Sequence, residues 1–161
     1  MSYWIGSTAP NDAGMSEFKE CLKHLRDGNS DDALLHARSA LSLAPKNPFY
    51  MSYTGLLAAL AEERFADGEA LCQEALSLRR NHAQLYLNLA EVYQRGGRKD
   101  DAIATLEKGL VSSGRDFRVR RALERIGKRR EPVLAFLHRC HPLNRTLGRL
   151  RHRMAGPARA A

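Results

Sequence analysis

The leucines Leu41, Leu76 and Leu110 recur at spacings of 35 and 34 residues, and their neighbourhoods look alike. Ser30-Asp31-Asp32-Ala33-Leu34 precedes Ser39-Ala40-Leu41, and Lys99-Asp100-Asp101-Ala102-Ile103 precedes Lys108-Gly109-Leu110. Between them, Asp67-Gly68-Glu69-Ala70 precedes Glu74-Ala75-Leu76. A period near 34 residues confines the chain to stacked supersecondary units, each burying its apolar face on the next. Small residues keep the same register: Cys21, Gly55 and Ala90; Ala33, Gly68 and Ala102; Ala40, Ala75 and Gly109. Antiparallel helices approach closely only where the crossing side chains are short.

The apolar spacing within each unit is helical. Phe18, Leu22 and Leu25 follow intervals of 4 and 3, and Leu34, Ala37 and Leu41 follow 3 and 4. Leu85, Leu89 and Val92 repeat the first pattern; Ile103, Leu106 and Leu110 repeat the second. Such stripes give amphipathic helices with one face to bury. Asp31, Asp32, Asp100 and Asp101 fall at the starts of second helices, where acidic groups suit the positive helix end. Gly28 and Gly96-Gly97 fit the preceding turns. No alternating pattern is long enough to predict a sheet.

On these residues the chain resembles the tetratricopeptide-repeat family, whose small positions are the nine above. The third unit matches best, with Tyr86, Leu89, Ala90, Tyr93, Gly97 and Ala102 in the family pattern. The first unit ends on the family's proline, Pro45; Arg80 and Gly114 replace it in the others. Glu17 and His24 stand where large apolar residues are usual. One extra residue lies between Gly55 and Gly68, and the inter-helix turn is its expected place. The expected architecture is an all-α solenoid of three units, residues 14–47, 48–82 and 83–114. It follows an N-terminal segment (1–13) and precedes a basic helical capping region (115–154) and a frayed tail (155–161).

The resemblance also implies a groove lined by the first helices. By register it contains Met15, Phe18, Leu22 and Leu25, then Phe49, Ser52, Leu56 and Ala59, then Gln84, Leu87, Glu91 and Gln94, with Asn88 beside them. This list passes from apolar to polar and suits an apolar or amphipathic segment of a protein partner. Some relatives clamp a chaperone's terminal carboxylates with Lys, Asn and Arg. The matching positions here are Phe18, Leu22, Tyr53, Gln84 and Asn88, of which only Asn88 is compatible, so no such binding is expected. The N-terminal segment, with Trp4, is an alternative cover for part of the groove.

Charge divides at the same boundary as the repeats. Residues 1–114 carry 12 basic and 15 acidic residues; residues 115–161 carry 14 and 3, a net +11. Val119, Leu123 and Ile126 predict a capping helix over 115–127, with Arg115, Arg118, Arg120, Arg121 and Arg125 off its stripe. Lys128, Arg129 and Arg130 then form a linker before the apolar cluster Val133, Leu134, Phe136 and Leu137. Leu143, Leu147, Leu150 and Met154 predict a second helix, with Arg145, Arg149, Arg151 and Arg153 on its other faces. A basic amphipathic helix can meet an acidic partner, an anionic membrane surface or nucleic acid. Phe117 and Phe136 read as core residues rather than base-stacking platforms.

Several functions lack the residues they need. No nucleophile–base–orienter signature occurs, so no catalytic residue is assigned. Gly96-Gly97-Arg98-Lys99 lacks the glycine spacing and strand of a phosphate loop and reads as a turn. His138, Cys140 and His141 form a single cluster, whereas zinc sites combine two ligand pairs; neither metal nor cofactor is expected. Cys21, Cys72 and Cys140 are three and widely spaced, which gives no disulfide framework. No apolar run of membrane-spanning length or secretory leader pattern is found, and a cytoplasmic protein is expected. The sequence therefore points to a non-enzymatic interaction scaffold or adaptor. The alternative is binding of nucleic acid or an anionic surface through the arginine-rich end.

Overall fold

The computed structural model describes residues 10–127, which form seven helices and, among these residues, no strand. They are α1 (Pro10–Arg26), α2 (Ser30–Leu43), α3 (Pro48–Ala61), α4 (Phe65–Leu78), α5 (Ala83–Arg95), α6 (Lys99–Ser112) and α7 (Phe117–Gly127). Outside the described residues lie the expectations for Trp4, the 128–130 linker, the cluster 133–137, the helix at 143–154 and the tail 155–161. The arginines 145, 149, 151 and 153 and the His138–Cys140–His141 cluster lie there too. Helix α1 begins four residues before the expected start of the first unit, and a proline is tolerated in a helix's first turn.

Three hairpins, α1–α2, α3–α4 and α5–α6, share one turn design. Each turn has three residues, and its middle residue has positive φ: Gly28 (+83°), Glu63 (+54°) and Gly97 (+74°). The extra residue of the second unit does not lengthen this turn. It sits in the closing turn of α3, where the Arg64 N–H reaches back six residues to the Ala58 carbonyl. The matching N–H groups of Asn29 and Arg98 reach back five, to His24 and Tyr93.

Helices α3, α5 and α7 are capped by side chains. Asn47 accepts from the N–H groups of Phe49 (2.9 Å) and Tyr50 (3.4 Å), His82 from Gln84 (3.3 Å), and Asp116 from Arg118 (2.8 Å). Second helices lack such a bond at Asn29, Arg64 and Arg98 and instead carry acids in their first turn. Arg64 and Arg98 each reach forward three residues, to Asp67 and Asp101 (both 2.7 Å). Arg98 also bonds Glu69 and lies over the Tyr93 ring, so Gly96-Gly97-Arg98-Lys99 serves the hairpin.

Helix crossings are closest where glycines meet. A methyl on Gly55 would lie 2.6 Å from the Gly68 carbonyl oxygen, and one on Gly68 2.5 Å from that of Gly55. On Gly109 it would lie 2.7 Å from Tyr86. The departures in the first unit answer each other: Glu17 accepts from His36 Nδ1 (2.8 Å), and the His24 and His36 rings stack at 5.2 Å.

Helix α7 closes the described repeats. Val119, Ala122 and Ile126 are buried against the preceding unit. At the places where α5 turns Tyr86 and Ala90 toward α6, α7 carries Arg120 and Glu124, both exposed. It has one apolar face instead of two, as a terminal element requires. Phe117 is not core as expected but 64% exposed. It lies two residues before Val119, which places it roughly 200° around the helix from that buried position.

Candidate functional site

The odd-numbered helices are joined along one face. Phe18 of α1 packs on Tyr50 and Tyr53 of α3 at ring distances of 4.9 and 5.1 Å. Asn88 of α5 donates to Ser52 Oγ of α3 (3.0 Å). Arg118 of α7 acts electrostatically on both Tyr53 and His82. Burial raises the Tyr53 phenol pKa, a nearby Cys21 thiol adds to this, and Arg118 opposes it.

The apolar end of this face is open. Leu22 and Leu25 are half-buried, and with Lys19, Arg26 and Tyr53 they line a cavity of about 450 Å³. Met15 is exposed and Phe18 half-buried. Lys19 and Arg26 escaped the register reading, which followed apolar positions. Their spacing from Leu22, three before and four after, was the available signal.

The middle of the expected groove is closed, which corrects four assignments. Ser52, Leu56, Ala59 and Asn88 are buried, at 0%, 7%, 2% and 2% exposure. Leu56 and Ala59 belong to the core packed on α4 and α5. Ser52 and Asn88 belong to a polar network: Gln84 donates to Asn88 (2.9 Å), Asn88 to Ser52, and the Cys72 thiol to the Ser52 carbonyl (3.3 Å). Buried polar atoms need such partners, so these side chains are already used inside the protein. Phe49 is half-buried, its ring edge-on to His82 (4.6 Å) with Arg79 above it.

The polar end is shallower. Leu87 is half-buried against the core. Glu91 accepts from Arg95 (2.9 Å), and Gln94 is exposed. Glu91 and Gln94 line a second cavity, about 430 Å³, with Gly97, Lys99, Arg125 and Ile126. Of the basic residues on α7, Arg118 is taken by Asp116 (3.0 Å), whose carboxyl pKa it lowers. Arg121 and Arg125 are exposed and form no ion pair among the described residues. Lys128, Arg129 and Arg130 lie beyond them, outside the described residues.

Both described thiols are buried. Burial pushes the Cys21 pKa up to about 11 and that of Cys72 up to about 12, which leaves them as protonated packing groups. Among the described residues no group of His, Cys, Asp and Glu could hold a metal ion, and no helix is long and apolar enough to cross a membrane.

A family model described as tetratricopeptide repeat matches residues 59–126. No curated protein matches the chain. Among solved structures, the chain is similar to the Sgt2 TPR domain from Aspergillus fumigatus (18% identity, 96% of this chain and 91% of that one, TM-score 0.63). It is similar also to the second TPR domain of human RPAP3, solved with an HSP70 peptide (15% identity, 74% and 99%, TM-score 0.60). A third is the Thermobaculum terrenum O-GlcNAc transferase, of which the chain matches 23% (19% identity, 75% of this chain, TM-score 0.64). At these identities the likeness is one of fold.

Proposed function

We propose that this chain, a tetratricopeptide-repeat protein, is a non-catalytic scaffold that holds a segment of another protein against the open end of its concave face. The observation that carries this reading is the half-buried cluster of Leu22, Leu25 and Tyr53 around an open cavity. A protein of the same fold is solved in complex with an HSP70 peptide. That ligand does not transfer to this chain. The five clamp positions hold Phe18, Leu22, Tyr53, Gln84 and Asn88, none of them cationic, and Asn88 is buried and bonded. Titration with such a peptide is expected to show no micromolar binding that depends on its terminal carboxylate; binding at that level that is lost on amidation of the peptide's C-terminus would contradict the reading.

The test is affinity capture with the purified chain, followed by mass spectrometry. Leu22→Glu and Leu22→Gln are expected to abolish capture of the direct partner while leaving the far-ultraviolet circular dichroism unchanged, since Leu25, unlike Leu22, packs on the buried core. Leu56 is unsuitable, because a charge at that buried position would unfold the chain. Unchanged capture by both variants would remove the groove from the account.

A second reading is supported by the exposed Arg120, Arg121 and Arg125, which form no ion pair among the described residues, and by the +11 carried by residues 115–161. This is electrostatic binding of nucleic acid or an anionic surface. It requires affinity that falls steeply with salt and disappears when residues 128–161 are removed. Nuclease treatment of the captured material separates the two readings.

A further inference from the structure

We infer that the segment held by the concave face is acidic as well as apolar: a bulky apolar anchor enters the Leu22–Leu25–Tyr53 cavity, and flanking carboxylates meet Lys19 and Arg26. This rests on the groove reading above and adds the chemistry of the partner. The repeat segment as a whole is slightly acidic, with 12 basic residues against 15 acidic ones. The cavity between α1 and α3 runs against that average: it is lined among the described residues by Lys19 and Arg26 and by no carboxylate. Both cations are exposed, and neither forms an ion pair among the described residues. The neighbouring Lys23, by contrast, is held by Glu20 at 3.1 Å.

The cavities at the hairpin turns differ from the α1–α3 cavity: one holds Glu91 beside Lys99 and Arg125, the other Asp31 and Asp32. An apolar floor rimmed by exposed cations without an ion pair among the described residues complements a negative ligand. Lys19, Leu22 and Arg26 share one helical stripe, three and four residues apart, so the cations flank the apolar floor. These cations do not occupy the carboxylate-clamp positions, so recognition would rest on different residues from those of the chaperone-binding relatives. An acidic amphipathic segment satisfies both the floor and the rim.

The test is selection from a random peptide display library on the full chain, repeated on Lys19→Glu/Arg26→Glu and on Leu22→Glu. Both reversed cations are exposed, so the first variant keeps the fold. The full chain should enrich peptides with a Leu, Phe, Met or Trp flanked by Asp and Glu. Charge reversal should keep the anchor, exchange acidic flanks for basic ones, and weaken an acidic-flanked peptide about tenfold or more. Leu22→Glu should lose these peptides. Peptides that depend on Leu22 but show no acidic preference, or none that changes on reversal, would overturn this inference and leave the groove reading intact. Peptides indifferent to Leu22 would overturn both. Vesicles containing phosphatidylglycerol provide a separate control. If they bind in a manner lost on charge reversal while the library yields no acidic consensus, the face recognises an anionic surface and the inference fails.

Discussion

The α1–α2 and α3–α4 hairpins occupy the same repeat positions and are held together by different chemistry. In α3–α4 the backbones touch: Gly55 and Gly68 leave no room for a methyl on either side. In α1–α2 the matching positions are Cys21 and Ala33, and the space farther along is filled by stacked His24 and His36, with Glu17 on His36. The repeat pattern therefore fixes where helices cross, and side-chain size sets how closely. The open cavity is lined mainly by α1 of the first unit, whereas the second unit has its groove positions Ser52 and Leu56 buried.

The largest expected effect follows from the glycine contact. Gly68→Ala ordinarily gains helix propensity, about 1 kcal/mol. Here the added carbon meets a backbone oxygen that cannot rotate away, so a net loss of about 3 kcal/mol is expected in urea unfolding. A gain would show that the two hairpins do not differ in closeness.

The thiols come next. Model thiols ionise near 9.0, and burial raises Cys21 to about 11 and Cys72 to about 12. A raised folded-state value means full stability below 9.0 and loss as pH climbs toward the folded value. Each thiol should therefore cost on the order of 1 kcal/mol for each pH unit between 9 and its folded-state value. Comparing urea melts at neutral and alkaline pH for the parent and Cys72→Ala tests this, since the variant should show a shallower slope. An unchanged slope would mean that Cys72 titrates normally.

His36→Ala probes the other hairpin. It removes the stack and the bond to Glu17, both partly solvent-exposed, at an expected cost of about 1 kcal/mol. A loss equal to that of Gly68→Ala would erase the distinction between the hairpins. The smallest effect concerns the shared turn. Gly28 and Gly97 hold its positive-φ position in two units, while Glu63 holds it in the second. Glu63→Gly should stabilise by about 0.5 kcal/mol, visible as a small rise in the thermal midpoint.

The sequence made the hairpins readable because their determinants are local and periodic. The nine small residues and the glycine turns follow directly from helix geometry. Two features depended on contacts between distant residues and were not readable. Ser52 and Asn88 are 36 positions apart and polar, which looks like surface until the bond between them is seen. Glu17 and His24 looked like departures from the pattern, yet they meet His36, itself on the facing helix. Of the candidate groove, the apolar end at Leu22 and Leu25 was legible. The cations beside it were passed over: their spacing from Leu22 places them on its stripe, but which exposed cations lack an acid partner depends on contacts that spacing does not give.

The central claim is that the open concave end around Leu22, Leu25 and Tyr53 is the surface that meets a partner. Amide chemical-shift mapping of the isotope-labelled chain, titrated with a captured partner segment, tests it most directly. The account predicts shifts concentrated in α1 from Lys19 to Arg26 and around Tyr53, reduced in the Lys19→Glu/Arg26→Glu chain. Shifts confined to α2, α4 and α6, or to residues 128–161, would contradict it.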